Sequence, residues 1–243
     1  MFAGLTRRLT VLAVATGVVA STGCGASIHV GAVTTRPPVH VGTSASNTLQ
    51  KAVQYEGAGF TVVLPDGWIR VNRPGTVAGS GAAKSLEQAN PGLTRSFKAF
   101  AQLTKQPGVM LVFDDTSAGH AVEAATDFAP NIIIRPFPLD PLTPDAKLLK
   151  DAMAQGRANT ASLGTLVGAP VTTRLRIGGL PGRGLTYSFR EHTAAGSQLV
   201  TESDYVTVRK GTAFTIFCTT VHRDLARFRP ICAHAVKSFT FTD

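Results

Sequence analysis

Residues 55–71 read YEGAGFTVVLPDGWIRV, and the rest of the chain is organised around them. Phe60, Val62 and Leu64 alternate with Thr61 and Val63, the period-2 pattern of a strand with one buried face. Pro65-Asp66-Gly67 supplies turn chemistry, since proline presets φ and glycine accepts the positive φ that other residues resist. Trp68, the only tryptophan, opens a return strand with Ile69 and Val71, where a large ring can anchor a core. The stretch therefore predicts the first hairpin of a folded domain, with everything before it serving delivery.

Residues 1–23 read as an export segment. Arg7-Arg8 form a charged start, and residues 9–20 (LTVLAVATGVVA) form an apolar run too short to span a membrane. The segment runs into Ser21-Thr22-Gly23-Cys24, which resembles a bacterial lipobox, although Ser21 stands where a leucine is usual. In that motif the cysteine is diacylated and becomes the new N-terminus, and two acyl chains suffice for stable anchoring. The alternative is an ordinary signal peptide with an incidental cysteine. The arginine pair leaves the general and the twin-arginine export routes both open. Residues 24–51 mix Ser, Thr, Gly and Pro without periodicity, which predicts a flexible tether before a domain at 52–243. His29 and His40 lie in the tether and read as incidental rather than metal-binding.

At 243 residues and 44% hydrophobic, the chain can bury one core of about 180 residues. The formal charge is +9, or +7 once Arg7 and Arg8 are removed, from 22 basic and 15 acidic residues. A basic surface suits anionic partners, but no dense Lys/Arg run appears, so solubility alone also accounts for it. Three cysteines are present, Cys24 in the export motif and Cys218 and Cys232 near the C-terminus.

Downstream, residues 84–103 read as helix in two pieces, and 109–113 (VMLVF) and 131–137 (NIIIRPF) as buried strands. Thr143-Pro144-Asp145 has the chemistry of a helix start, and that helix is predicted to run to Gly156 as its C-terminal stop. Four strands follow at 171–177, 184–190, 199–208 and 213–219, joined by short turns. A helix at 224–236 is expected to break at Pro230, and 238–241 closes the chain as a short strand. Cys218 and Cys232 can then face each other. In an exported protein a disulfide is the favoured state, with two buried thiols as the alternative.

Nucleophile and metal motifs are missing: there is no G-x-S-x-G, H-E-x-x-H or C-x-x-C. The GSGAAKS run at 79–85 fails as a phosphate loop because Ala83 stands before the lysine. His222 and His234 lie near the two cysteines, but a disulfide is preferred there to a Cys₂His₂ zinc site. Asp114-Asp115 reads as a solvated strand end, because neighbours on a strand point to opposite faces. Glu202 and Asp204 share a strand face and form the better carboxylate pair; surface ion pairs with Arg190 or Arg174 are the preferred account of them. Arg174, Arg176, Arg183, Arg190, Arg209 and Lys210 fall on neighbouring strands and turns. Together they predict a basic face for an anionic lipid or glycan. Base-stacking aromatics are not interleaved with them, which argues against nucleic acid.

Phe60, Val62, Leu64, Pro65, Gly67 and Trp68, followed much later by Ser238, Phe239 and Phe241, resemble the PsbP-like family. The nearest pattern is that of actinobacterial envelope lipoproteins carrying this domain behind a tether. The resemblance implies an α+β fold, a central antiparallel β-sheet flanked by helices on both faces. It also implies a binding or assembly subunit with no catalytic set and no cofactor. The expectation is thus a non-catalytic lipoprotein on the outer face of the cell membrane that binds an envelope protein or an anionic lipid or glycan. Carriage of a lipid or hydrophobic ligand in an internal apolar cavity is the alternative, and a hydrolase using Glu202 and Asp204, or Asp114, is a third reading.

Overall fold

The computed structural model describes residues 52–70, 108–160, 165–193 and 195–242. The export segment with Cys24, the tether, the glycine-rich loop and the helices expected at 84–103 lie outside the described residues. The strands form two antiparallel sheets. A three-stranded sheet has the order β1-β2-β10, from β1 (Ala52–Gly57), β2 (Phe60–Pro65) and β10 (Thr240–Phe241). A seven-stranded sheet has the order β3-β4-β5-β9-β8-β7-β6. Its strands are β3 (Trp68–Arg70), β4 (Met110–Asp114), β5 (Asn131–Pro138), β6 (Val171–Ile177), β7 (Leu180–Thr193), β8 (Gly196–Arg209) and β9 (Thr212–Val221). The helices are α1 (Ser117–Thr126), α2 (Asp145–Thr160) and α3 (Leu225–Ser238), the last entered through a 3₁₀ turn at His222–Asp224.

The opening hairpin is not the one the sequence suggests. Phe60–Pro65 pairs with the unanticipated β1 on one side and with β10 on the other. Trp68–Arg70 instead pairs with β4 in the larger sheet. Pro65-Asp66-Gly67 therefore carries the chain between sheets. Gly67 suits that crossing, with φ +86 and a site where a Cβ would lie 2.7 Å from the Thr116 methyl. A local pattern predicts a turn, but which strand lies beyond it depends on residues far along the chain.

Residues paired across strands share a face, so register sorts the core. On one face Met110, Val112, Ile132, Ile134, Ile216 and Cys218 pack under α3. The buried side of β2 (Phe60, Val62, Leu64) joins this cluster, with the Phe60 ring stacked on Phe239 at 5.3 Å. The Ser238 hydroxyl donates to the Val63 carbonyl at 3.1 Å and accepts from its N–H at 3.0 Å. The first and last motifs of the domain are thus one packing unit. Burying each such aromatic or aliphatic side chain contributes about 1.5–3 kcal/mol. On the opposite face, α2 presents Leu148, Leu149 and Met153, while Val122 of α1 and Phe128 cover Leu185, Tyr187 and Phe189. The fold is α+β, an antiparallel sheet with helices on both faces.

Three local expectations change. α2 continues past Gly156 to Thr160; Gly156 lies on the side of the helix nearest Leu185, where even an added Cβ would sit 3.8 Å from its methyl group. α3 runs straight through Pro230. Proline there gives up one backbone bond and crowds the carbonyl one turn back, while buried Phe228, Ile231 and Cys232 hold the turn down. α1 was not anticipated, because its composition is weakly patterned. It is defined by Thr116, whose hydroxyl accepts from the Gly119 N–H at 3.2 Å as an N-cap. Cys218 on β9 and Cys232 on α3 are joined in a disulfide. Closing a loop of that length contributes about 3 kcal/mol.

Candidate functional site

The six basic residues do not form one face. β6 and β7 meet in the two-residue turn Gly178-Gly179, both with positive φ. Their register sets Arg174 opposite Arg183 and Arg176 opposite Pro181, so these three arginines lie on the α2 side of the sheet. Arg190 and Arg209 alternate onto the α3 side and at opposite ends of their strands, facing Leu199 and Thr212 respectively. Arg209 stacks 4.9 Å over the Phe241 ring. Lys210 sits in the β8–β9 turn, its N–H bonded to Asp145 at 3.2 Å. Strand alternation divides what sequence proximity groups together.

A different site emerges beside α3. This helix covers the middle of the sheet and leaves a trench against β6, β7 and β8. One part of the trench has a volume of about 500 Å³ and an apolar floor of Leu175, Val236 and Phe239. Lys237 stands exposed at its margin, and the backbone around Arg176 and the Gly178-Gly179 turn forms its end wall. A second part, about 240 Å³, lies against Phe228, Arg229 and the disulfide, with Thr186 and Ser203 on the sheet side. Tyr205 lines both parts. Its hydroxyl is held above the usual tyrosine range by burial, against the opposing pull of Ser203 and Arg229, so it remains a hydrogen-bond donor at neutral pH. Arg229, Ala233 and Lys237 recur at four-residue spacing and so line one side of α3. The helix thus supplies a cation, a small residue and a cation along the trench.

The apolar floor and the two cations of α3 (Arg229, Lys237) can hold an amphipathic anion. Both cations were missed in the sequence because they lie on a helix read only for its apolar stripe. Their i, i+8 spacing around a small residue was the available signal.

The carboxylate pair on β8 is real but is not held as expected. Glu202 lies opposite Tyr187 on β7 and Thr219 on β9. The Tyr187 hydroxyl donates to Glu202 and lies 3.2 Å from Asp204, and Thr219 donates to Glu202 at 3.1 Å. Neither Arg190 nor Arg174 pairs with these acids. Burial, then the neighbouring charge of Glu202, raises the Asp204 carboxyl well above its ordinary value. Burial and Glu202 likewise push Glu191 up to about 7. Tyr187 is buried and held protonated by the same causes. The acids converge, as a hydrolytic pair would, but the tyrosine hydroxyl occupies the space between them. Neither part of the trench is lined by them.

Asp114 is no solvated strand end, being only 2% exposed. Its Oδ1 accepts from the Thr116 N–H at 3.0 Å and hydroxyl at 2.6 Å, and Arg227 of α3 lies 2.6 Å from its Oδ2. Arg227 also grips Asp224 through two bonds of 2.9 and 2.8 Å. Asp115 turns the other way, to His120 at 2.7 Å. His222 bonds the Thr201 hydroxyl at 3.0 Å, and the disulfide leaves no thiolate for a zinc site. Among the described residues no group of three His, Cys, Asp or Glu side chains is placed to hold a metal.

No family model and no curated protein matches the chain. Solved structures similar to it include the cyanobacterial PsbP protein (CyanoP) of Synechocystis sp. PCC 6803, at 15% identity and a TM-score of 0.48, over 83% of this chain and 99% of that one. LpqN, involved in cell envelope biogenesis of Mycobacterium tuberculosis, is similar at 13% identity and 0.44, over 79% and 91%. The Saccharomyces cerevisiae Ran-binding protein Mog1p is similar at 14% and 0.44, over 79% and 95%.

Proposed function

We propose that this chain is an exported lipoprotein, anchored through Cys24 on the outer face of the cell membrane. Its domain is a non-catalytic module that docks an anionic envelope lipid or glycan in the trench beside α3. The observation that carries the reading is the trench itself, with an apolar floor, Tyr205 shared between its two parts and cations of α3 along its margin. It lies open at the surface, which suits docking better than enclosure of a whole lipid. No helix among the described residues is long and apolar enough to cross a membrane; what supports the anchor is the lipobox-like motif at Thr22-Gly23-Cys24.

The test has two arms. Intact mass and fractionation of the wild type against Cys24→Ala should show acyl mass at Cys24, membrane partitioning, and release of the variant. The released mature chain is then titrated with phosphatidylglycerol/phosphatidylcholine vesicles, with Arg229→Glu/Lys237→Glu as the comparison. Binding should fall at least tenfold with the double reversal and weaken with salt. An unacylated Cys24 sinks the anchor, and equal vesicle binding by both chains sinks the trench. Stoichiometric lipid retained by the purified chain would instead favour the carrier reading.

A further inference from the structure

Among the described residues the larger sheet ends in a long unpaired edge, whose outward backbone carries an inference of its own. β6 is the last strand of that sheet, and Val171 at its start is 60% exposed, with Thr172, Thr173 and Arg174 also exposed. The turn that ends it fixes which backbone groups face outward. Ile177 and Leu180 flank a two-residue loop with both φ values positive. In such hairpins the flanking residues form a hydrogen-bonded pair, and bonded pairs alternate from there. Leu175, Thr173 and Val171 therefore direct their N–H and C=O toward β7. Arg176, Arg174 and Thr172 direct theirs away from the sheet. Pro181, opposite Arg176, fits this phase. It has no N–H to give, and its carbonyl turns to β8, where the Thr207 hydroxyl bonds it at 2.9 Å.

Unpaired strand edges are templates for another strand, and proteins commonly blunt them with charge. Arg174 and Arg176 supply that charge, and Arg183 lies directly across from Arg174. Like charges directly opposite are unfavourable, and no described carboxylate forms an ion pair with any of the three. This charge decides between occupants. A second copy pairing β6 against β6 about Arg174 would set that arginine against its own image. An acidic segment would instead relieve all three.

We infer that the β6 edge is a strand-addition site for an extended acidic segment of a partner protein. Carboxylates two residues apart in the incoming strand would lie on one face, beside Arg174 and Arg176. Backbone bonding to Thr172, Arg174 and Arg176 would hold the strand, and the arginines would select it.

The test is residue-resolved amide hydrogen exchange on the full mature chain carrying Cys24→Ala. The probe is a blocked eight-residue peptide of alternating valine and glutamate, with a valine–lysine peptide as control. The glutamate peptide should slow exchange at least tenfold at Thr172, Arg174 and Arg176 and leave Thr173 and Leu175 unchanged. The lysine peptide should protect none of them. Thr172→Pro removes an outward N–H while keeping every arginine, and should abolish protection. Arg174→Glu should shift the preference toward the lysine peptide, and tests the same point if the proline variant fails to fold. Equal protection by both peptides overturns the inference, as does protection of all five residues or none, or dimerisation through β6 without peptide. Arg229→Glu/Lys237→Glu leaves this edge intact, so failure here and failure of the trench are separable.

Discussion

Two acidic sites sit in this sheet, one buried and one half-buried, and are neutralised in opposite ways. At Asp114, charge meets charge. Arg227 reaches across from α3 to bridge Asp114 and Asp224, while Thr116 satisfies the remaining oxygen. At Asp204, the neighbours are another carboxylate and a phenol, and no cation is bonded to it. Burial disfavours the Arg227 charge, but its bonds to Asp224 and the charge of Asp114 outweigh this and raise its pKa. Burial and like charge act together on Asp204, so this site is accommodated by keeping protons. The first site ties three elements together. The second stores a pH-dependent cost in the middle of β8.

The largest expected effect lies at the first site. Arg227→Ala strands a buried carboxylate and should cost about 3 kcal/mol, a fall in Tm of roughly 10 °C. Thermal unfolding checks this, and a Tm within about 2 °C of wild type would remove the bridge from the comparison. The second site should respond to pH with the opposite sign to an ion pair. Glu191 is raised from 4.5 to about 7 and Asp204 is raised as well. A carboxyl with a raised folded-state pKa contributes stability that is fully present below about 4.5 and is lost as pH rises through about 7. The domain should therefore melt several degrees lower at pH 8 than at pH 5. Asp204→Asn, which keeps a donor toward Glu202, should raise the Tm at pH 8 and flatten that slope. An unchanged slope in this variant would show that Asp204 is ionised in the fold. The smallest effect is at Asp115. Its bond to His120 involves partly exposed side chains, so Asp115→Asn should shift stability by less than about 1 kcal/mol.

Reading the two acidic sites from sequence fails for one physical reason. Adjacent acids at 114–115 suggest a shared role, but strand alternation sends Asp114 inward and Asp115 out. Glu202 and Asp204 do share a face, as their spacing requires. What stands between them is Tyr187, fifteen positions before Glu202 and set opposite it by the β7–β8 register. The same alternation splits Arg190 and Arg209 from Arg174, Arg176 and Arg183. Side-chain type and spacing along one strand were legible, whereas their neighbours on the next strand were not.

The sequence by itself determined the local grammar of this chain. Alternating residues marked the strands of the meander, Thr143-Pro144-Asp145 marked the start of α2, and the apolar stripe through Phe228 and Ile231 marked the inner face of α3. The approach of Cys218 to Cys232 was equally readable, since only the end of a strand, a tight turn and the start of a helix separate them. Only the tertiary structure decided that β2 would leave Trp68 to another sheet, that α3 would run through Pro230, and that a trench would open beside it. Periodicity and turn chemistry act over a few residues and are written in the chain. Register, strand order and helix placement are set by packing between residues far apart, where many partners of similar apolar character compete for the same face.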